Sequence, residues 1–342
     1  MPYFKQDRPV IAVTMGDPAG IGPEVVLGAL KSAAVSSRTI PVVVGSSQVL
    51  RRCIAELHVE GIEIAEVANP RPAEGVCGRV EVIDVSVPGL DELKPGKAEA
   101  IGGLAADAFV RKACEFALAG RIDAITTAPI SKESLRLAGI QEIGHTELLA
   151  KHLGASDPLT LFITENMHIF FFSRHLSLRE AIDFITEDRL YRFICKVHSA
   201  MIGLGFPRPG IGVAALNPHA SDGGQFGSEE AEIISPAIER ARAERIRVFG
   251  PVGADSIFHQ ALEGRFDCAI SLYHDQGHIA AKTRDFFGTV TATLGLPVLR
   301  TSVDHGTAFD IARQGKASSV SMEAAILSAA DLLAAPGGMV DG

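Results

Sequence analysis

Residues 10–25 read VIAVTMGDPAGIGPEV, an apolar run followed by a glycine-rich stretch. The run Val10–Thr14 predicts a buried β-strand, and Pro23 suits the first turn of a helix that follows it. Backbone N–H groups at such a helix start can bind an anion, although a tight strand-to-helix turn also accounts for the glycines. Because these glycines do not have the G-x-G-x-x-G spacing, the Rossmann dinucleotide fingerprint is absent.

The same alternation of strand and helix patterns continues along the chain. Short β-branched runs predict further strands at 40–44, 80–83, 124–126, 159–163, 169–172, 211–215 and 268–272. Amphipathic segments predict helices, most clearly at 98–119, 189–203, 228–245 and 322–335. Strands that alternate with helices are typical of an α/β fold in which helices cover both faces of parallel sheets.

The length of 342 residues favours two domains. Breaks in the pattern divide the chain into a first α/β domain built from both ends, residues 1–140 plus 290–342, and a second α/β domain inserted between them, residues 141–289.

Composition and charge exclude several classes of protein. The chain has 32 Lys and Arg against 41 Asp and Glu, a net charge of −9 without a basic stripe, which disfavours nucleic acid as a partner. Its apolar runs are far shorter than the ~20 residues of a membrane span. Asp7 and Arg8 stand where a signal peptide would be apolar. The five scattered cysteines form no C-x-x-C pair, which predicts a reducing cytoplasm and no thiolate metal site.

Three histidines follow apolar strands closely: His175, His219 and His274. In open α/β sheets ligands bind beyond the carboxyl ends of strands, so all three stand where chemistry is expected. Three imidazoles could hold a divalent metal and leave coordination positions open for a substrate. Each could also be an ordinary hydrogen-bonded histidine, because their wide separation matches no local zinc motif.

Further segments could bind an anion. Thr146, in GHTE at 144–147, is a natural N-cap for the helical pattern that follows, and a helix start there could hold a phosphate or carboxylate. Lys282 and Arg300 flank a run of small residues and could clamp an acidic substrate, or could simply be solvated. The polar segment 302–308 reads as a capped turn.

Taken together, these segments resemble the 4-hydroxythreonine-4-phosphate dehydrogenase family, which includes the D-threonate and D-erythronate 4-phosphate dehydrogenases. The matching stretches run in order along almost the whole chain. They are MGDPAGIGPE at 15–24, APISKE at 128–133, GHTE at 144–147, LNPHA at 216–220, FGSEE at 226–230, YHDQGH at 273–278 and LGLPVLRTSVDHGTAFDIA at 294–312.

The resemblance implies a fold similar to isocitrate and isopropylmalate dehydrogenases, with two α/β/α domains, a cleft between them and an obligate homodimer. It implies that His175, His219 and His274 bind a divalent metal (Zn, Mg or Co), with His274 supplied by the neighbouring subunit. The second domain would then carry the metal ligands and the dimer contacts.

The resemblance also implies the other site residues. Those that match substrate-binding positions are His145, Thr146, Lys282 and Arg300. The stretch DHGTAFDIARQGKA resembles the isopropylmalate dehydrogenase loop that holds the adenosine part of NAD, which makes His305, Gly306 and Thr307 candidates for binding NAD or NADP. This fold binds NAD without a Rossmann fingerprint.

The implied reaction belongs to pyridoxine biosynthesis. NAD takes a hydride from C3 of a 4-phosphorylated 3-hydroxy acid, and the resulting β-keto acid loses CO2. A divalent metal would favour alkoxide formation and stabilise the enolate. Asp275 and Lys282 are the candidate catalytic residues, and His145 is a further candidate for the general base.

One position departs from the family pattern. Where the family has V-N-I-T, with an asparagine that contacts substrate, this chain has V-T-A-T, so Thr291 replaces the amide. A hydroxyl cannot reproduce the paired donor and acceptor of an amide. The alternatives within the family are therefore a D-threonate or D-erythronate 4-phosphate dehydrogenase and an aromatic cis-dihydrodiol dicarboxylate dehydrogenase.

Two alternatives lie outside the family: a metal-dependent hydrolase that uses three histidines, and a phosphometabolite-binding protein that has lost its chemistry. The intact set of histidines disfavours the latter.

Overall fold

The structure is a computed structural model that describes residues 8–71 and 73–334. Its strands, in chain order, are β1 (Val10–Thr14), β2 (Ile40–Gly45), β3 (Glu63–Glu66), β4 (Arg79–Asp84), β5 (Ala124–Thr127), β6 (Leu159–Thr164), β7 (Met167–Phe171), β8 (Ile211–Ala214), β9 (Val248–Val252), β10 (Cys268–Ser271), β11 (Val290–Leu294) and β12 (Leu299–Ser302).

The α-helices are α1 (Gly22–Leu30), α2 (Ala33–Arg38), α3 (Ser47–Leu57), α4 (Ala100–Leu118), α5 (Lys132–Leu137), α6 (His145–Leu153), α7 (Leu178–Phe184), α8 (Glu187–Gly203), α9 (Ser235–Ala243), α10 (Ile257–Leu262), α11 (His274–Arg284) and α12 (Val320–Ala334). A π-helical turn spans Glu230–Ile234, and 3-10 turns span Leu90–Glu92, Pro218–Asp222 and Phe309–Ile311.

Two compact units make up the chain. The first runs to Pro158 and resumes at Val290–Leu333, and the second comprises Leu159–Thr289. The sequence pattern places the first division at residue 140 instead. Residues 141–158 belong to the first unit because α6 packs against α4. The predicted domain ends, 1–7 and 335–342, lie outside the described residues.

The first unit contains a sheet in the order β3-β4-β2-β1-β5-β12-β11. All its described pairs are parallel except β11 with β12, which is antiparallel. Strands β1 and β2 are buried along their whole length, as expected for parallel strands covered on both faces. The predicted α/β class is confirmed, and the antiparallel β11–β12 pair is an addition to the parallel strands that the alternation of elements predicts.

The second unit contains a sheet in the order β6-β7-β10-β8-β9. Strands β7, β10, β8 and β9 are parallel, and β6 pairs with β7 as an antiparallel hairpin. The hairpin turn has Glu165 in the left-handed region, with φ of 52°. Side chains from the strands and α10 form the core, including Phe162, Met167, Ile169, Phe171 and Phe258.

Among the described residues, no helix is both long and apolar enough to cross a membrane. The five cysteines, all described, are free thiols.

Candidate active site

The glycine-rich loop between β1 and α1 is packed tightly against other backbone. A Cβ at Gly16 would lie 2.3 Å from the Pro129 carbonyl oxygen, and one at Gly20 would lie 2.7 Å from the Thr307 carbonyl oxygen. That Thr307 oxygen also accepts a hydrogen bond of 2.9 Å from the N–H of Ile21. Close backbone approach therefore explains these glycines, and it anchors Thr307 of the predicted cofactor loop.

Asp17 lies in the same loop and is fully buried. Its Oδ1 accepts a hydrogen bond of 3.0 Å from the N–H of Ala19, and burial raises the pKa of its carboxyl group. The sequence analysis did not single out Asp17, although its place between Gly16 and Pro18 is a turn signal.

Arg300 is a buried cation in the first unit. Only 5% of its surface is exposed, although its guanidinium is charged. Nη2 and Nε donate to Oγ1 of Thr127 at 2.7 and 3.2 Å, and Nη1 donates to Oγ1 of Thr293 at 3.1 Å. Burial lowers the pKa of Arg300 to about 10, which leaves it protonated at neutral pH. Two neutral hydroxyls fix the orientation of this cation, and the nearby carboxylate of Glu147 opposes part of the effect of burial on its pKa.

His145 lies close enough to Arg300 for the positive guanidinium to disfavour protonation of the imidazole. Burial, reinforced by the positive Arg300, holds the pKa of His145 well below its ordinary value, so the imidazole is neutral at pH 7. Its Nε2 atom is buried and meets no hydrogen-bond partner in residues 8–71 and 73–334. A buried cation beside an unsatisfied imidazole nitrogen is a plausible anchor for an anionic ligand that can also hydrogen-bond.

The prediction that Thr146 caps a helix is wrong. Helix α6 begins at His145, its N-cap residue is Gly144 in extended backbone, and Thr146 is the second helical residue. Gly144 is in fully extended backbone, with φ of −178°, and the helix begins two residues earlier than it would with Thr146 as the N-cap. Thr146 remains half-buried beside His145.

Thr291 lies on the same strand face as a residue that holds Arg300. In the antiparallel pair β11–β12, Thr291 is opposite Ser302 and Thr293 is opposite Arg300. Since side chains alternate along a strand, Thr291 and Thr293 point to one face of the sheet. The residue that departs from the family pattern is therefore close to the buried cation.

The predicted cofactor loop of the first unit follows β12. Nδ1 of His305 lies 3.1 Å from the carbonyl oxygen of Gly306, and Nε2 of His305 is buried with no hydrogen-bond partner in the described part of the chain. Gly306 is exposed and Thr307 is buried. These residues offer an unsatisfied nitrogen and an accessible backbone, which fits a polar ligand such as a nucleotide.

In the second unit, the three histidines predicted to bind metal follow neighbouring strands. His175 follows β7, His274 follows β10 and His219 follows β8, and these strands are adjacent and parallel. The rings of His175 and His274 have centroids 6.2 Å apart and line one cavity of about 260 Å³ with Tyr273 and Asp275.

Asp275 orients His274. Its Oδ1 lies 2.7 Å from Nδ1 of His274, so the other ring nitrogen, Nε2, is left to face a ligand. This contact gives Asp275 a role in holding a histidine. Lys282, the other candidate catalytic residue, lies near the end of the same helix with its Nζ 5.2 Å from the centroid of the Phe286 ring.

The sequence analysis did not identify His278 as a site residue. Its ring stacks on that of His274 with centroids 3.6 Å apart and an interplanar angle of 10°. Nδ1 of His278 lies 2.8 Å from the carbonyl oxygen of His274, and its ring contacts Phe162 and Phe171. The i, i+4 spacing from His274 on a helix is the signal that could have found it.

No group of three or more His, Cys, Asp or Glu side chains arranged to hold a metal ion occurs among the residues that the structure describes. The single chain brings His175 and His274 near each other but does not assemble a complete set of ligands. Imidazole nitrogens suit a divalent metal, so the donor chemistry fits, while the sharing of the site between subunits stays a prediction.

The family described as "Pyridoxal phosphate biosynthetic protein PdxA" matches residues 37–329. The chain belongs to this family. A "Putative D-threonate 4-phosphate dehydrogenase" of Clostridium botulinum (strain Hall) is 45% identical over 324 residues, covering 95% of this chain and 97% of that protein. The resemblance drawn from the sequence motifs is thereby confirmed, and this PdxA-family chain is an oxidoreductase of the dehydrogenase type.

Solved structures of relatives agree with this membership. The 4-hydroxythreonine-4-phosphate dehydrogenase of Klebsiella pneumoniae is 42% identical with a TM-score of 0.88, covering 95% of this chain and 99% of that one. A terephthalate 1,2-cis-dihydrodiol dehydrogenase of Burkholderia xenovorans LB400 is 28% identical with a TM-score of 0.62, covering 98% and 100%.

Proposed function

We propose that this PdxA-family enzyme oxidises a 4-phosphorylated 3-hydroxy acid at C3 with NAD or NADP and then decarboxylates the product. The hydride of C3 would pass to the nicotinamide and the hydroxyl proton would leave, giving a 3-keto acid. The bond between C2 and the carboxyl carbon would then break to release CO2, its electron pair would form the enolate, and a proton would be added to that enolate. The observation that carries the proposal is the buried, charged Arg300 beside the neutral His145.

The Arg300–His145 pair is suited to binding an anion. Arg300 is held by the hydroxyls of Thr127 and Thr293, and a guanidinium presents several N–H donors in one plane to phosphate or carboxylate oxygens. The neutral His145 can hydrogen-bond the same ligand without adding charge. Thr146 and Lys282 are the further substrate-binding residues in this proposal.

Two phosphorylated acids are candidates for the substrate. Relatives are named for 4-hydroxythreonine 4-phosphate and for D-threonate 4-phosphate, which carry an ammonium and a hydroxyl group at C2, respectively. Thr291 offers one hydroxyl where an amide would offer a separate donor and acceptor, and it lies on the strand face of Thr293. This favours D-threonate or D-erythronate 4-phosphate as the better substrate.

The metal and the nicotinamide cofactor are proposed from the donor sets of the described residues. His175, His219 and His274 would hold a divalent cation, and when bound it would stabilise negative charge on a substrate oxygen. Asp275 would orient His274, and His305, Gly306 and Thr307 would contact the nicotinamide cofactor. We further propose a homodimer whose subunits share the metal site, and a location in the cytoplasm.

The test measures reduced nicotinamide formation with purified enzyme, NAD or NADP, and Zn²⁺, Mg²⁺ or Co²⁺. The panel contains 4-hydroxythreonine 4-phosphate, D-threonate 4-phosphate, D-erythronate 4-phosphate, their unphosphorylated counterparts and a cis-dihydrodiol dicarboxylate. We expect turnover only with phosphorylated acids. Turnover of the dicarboxylate alone would overturn the substrate class, and product release without NAD or NADP would indicate a hydrolase.

A further inference from the structure

The turn that carries His219 has an unusual backbone. Four consecutive residues, His219 to Asp222, have φ values of 52°, 53°, 65° and 44°. None is glycine, and this left-handed region is disfavoured for every residue with a Cβ, especially in succession. Such a turn persists only where surrounding contacts determine it.

Backbone hydrogen bonds within the turn, such as Ala220 N–H to the Asn217 carbonyl oxygen at 3.2 Å, supply some of these contacts, and one buried carboxylate holds the two residues that precede Pro218. Oε1 of Glu230 accepts hydrogen bonds from the backbone N–H groups of Leu216 and Asn217, at 2.9 and 2.7 Å, and Oε2 accepts one from Nδ2 of Asn217 at 2.9 Å. Only 3% of Glu230 is exposed. It is the first residue of the π-helical turn Glu230–Ile234, a rare geometry that often marks functional sites.

We propose that Glu230 is a positioning residue: it holds the entry to the left-handed turn after β8 so that the imidazole of His219 is presented for metal binding. The inference rests on the proposed function, since it takes His219 as a metal ligand. Glu230 does not touch the metal in this proposal. It acts through Asn217 and the backbone that leads into His219.

A carboxylate is required because all three groups that face Glu230 are N–H donors. Glutamine would supply a single acceptor oxygen and turn an –NH2 group toward one of those donors. The Asn217 amide cannot simply rotate to compensate, because its Nδ2 also donates to Oε2 of Glu229 at 2.7 Å. Glu230→Gln should therefore loosen the turn while keeping size and shape.

The experiment titrates Co²⁺ into the metal-free full chain and follows both the affinity and the visible absorption spectrum of the bound ion. We expect Glu230→Gln to weaken Co²⁺ binding by about 10- to 100-fold, the range found when groups supporting a ligand are removed. Glu229→Gln is the matched control, because it makes the same chemical change at the neighbouring residue and keeps an amide oxygen that can accept the hydrogen bond from Nδ2 of Asn217. It should bind Co²⁺ nearly as the wild type does.

A rescue variant separates positioning from general stability. Glycine adopts the left-handed region freely, so Ala220→Gly combined with Glu230→Gln should restore part of the lost affinity and return the spectrum toward that of the wild type. A purely structural role would lower the melting temperature of the metal-free protein and leave the affinity of the folded protein unchanged.

If Glu230→Gln does not fold, Asn217→Ser tests the proposal in its place. This substitution removes the amide donor of Asn217 and leaves both backbone hydrogen bonds to Glu230. A smaller weakening is expected, and unchanged affinity would overturn the proposal. Wild-type affinity in Glu230→Gln would overturn it as well. His219→Ala separates failure of the proposal for Glu230 from failure of the proposed function. If His219→Ala also binds Co²⁺ as the wild type does, His219 is not a metal ligand, and the ligand assignment has failed as well as the role of Glu230.

Discussion

Thr127 and Arg300, 173 positions apart in the chain, meet in the first unit, where Oγ1 of Thr127 accepts two hydrogen bonds from the guanidinium, from Nη2 at 2.7 Å and from Nε at 3.2 Å. With Thr293 on its other side, the guanidinium is fixed in the plane that these hydroxyls define. Both of these hydrogen-bond partners are neutral, and the charged group that acts on Arg300 is the carboxylate of Glu147.

Replacing Arg300 by lysine tests whether this geometry matters beyond the charge. An ammonium group has no fork to bridge Thr127 and Thr293, so it cannot present the same donors to the substrate. We expect kcat/KM to fall by roughly 10- to 100-fold, the loss that follows removal of a hydrogen bond to a charged group. Arg136→Lys, at an exposed position on α5, is the control. Equal kinetics for both variants would show that Arg300 does not bind substrate.

Acid should destabilise the protein through His168. Burial lowers the pKa of this imidazole from its ordinary 6.5, while its Nδ1 lies 3.1 Å from the carbonyl oxygen of Asp267. Below pH 6.5 the unfolded chain takes up a proton that the folded chain does not, so this contribution to stability is present above pH 6.5 and is lost as the pH falls toward the lowered value.

The measurement for His168 is the melting temperature at pH 7.5 and pH 5.5. His168→Gln should show a smaller drop between the two than the wild type. His259→Gln, at an exposed position, should behave as the wild type does. An identical drop in all three proteins would assign the acid sensitivity to other groups.

A metal site shared between subunits predicts complementation. His219→Ala and His274→Ala should each be inactive and bind less metal, because each removes a ligand. If His274 completes the site of the neighbouring subunit, a mixed dimer of the two variants contains one intact site and recovers part of the activity. If all ligands came from one subunit, every site in the mixed dimer would stay defective.

Subunit exchange has to be demonstrated for the complementation test, for example by mass spectrometry of differently tagged chains. A mixture of His175→Ala with His219→Ala is the matched control, because those two ligands are assigned to the same subunit and mixing should restore nothing. Recovery in the control, or none in the test mixture after exchange, would contradict the shared arrangement.

Thr291→Asn should shift substrate preference. The change restores the amide typical of the family near the position of Thr293, so kcat/KM should move toward 4-hydroxythreonine 4-phosphate and away from D-threonate 4-phosphate. A designed hydrogen bond to a polar substrate contributes about 1–3 kcal/mol, or roughly ten- to a hundredfold in selectivity. Thr291→Ser, which keeps the hydroxyl, is the control. An unchanged ratio in Thr291→Asn would show that the residue does not select substrate.

Local patterns in the sequence are enough to predict much of the fold. Each predicted strand, from Val10–Thr14 to residues 268–272, overlaps a strand of the structure, because short β-branched runs favour extended backbone and are typical of strands covered on both faces. The strands that were missed have weaker patterns: β3 reads EIAE, and β9 contains a Gly-Pro pair. The antiparallel β11 and β12 depend on pairing with each other, which no local run reveals.

The candidate site, like the fold, could be predicted only in part from local sequence patterns. The sequence alone determined that His175, His219 and His274 follow strands, and its family motifs predict Arg300 and His145 as substrate-binding residues. Only the tertiary structure decided that β7, β10 and β8 are neighbours, that His278 stacks on His274, and that Glu230 accepts a hydrogen bond from the backbone N–H of Asn217. Propensity and periodicity act over a few residues, whereas these contacts depend on strand order and chain packing, which bring distant residues together.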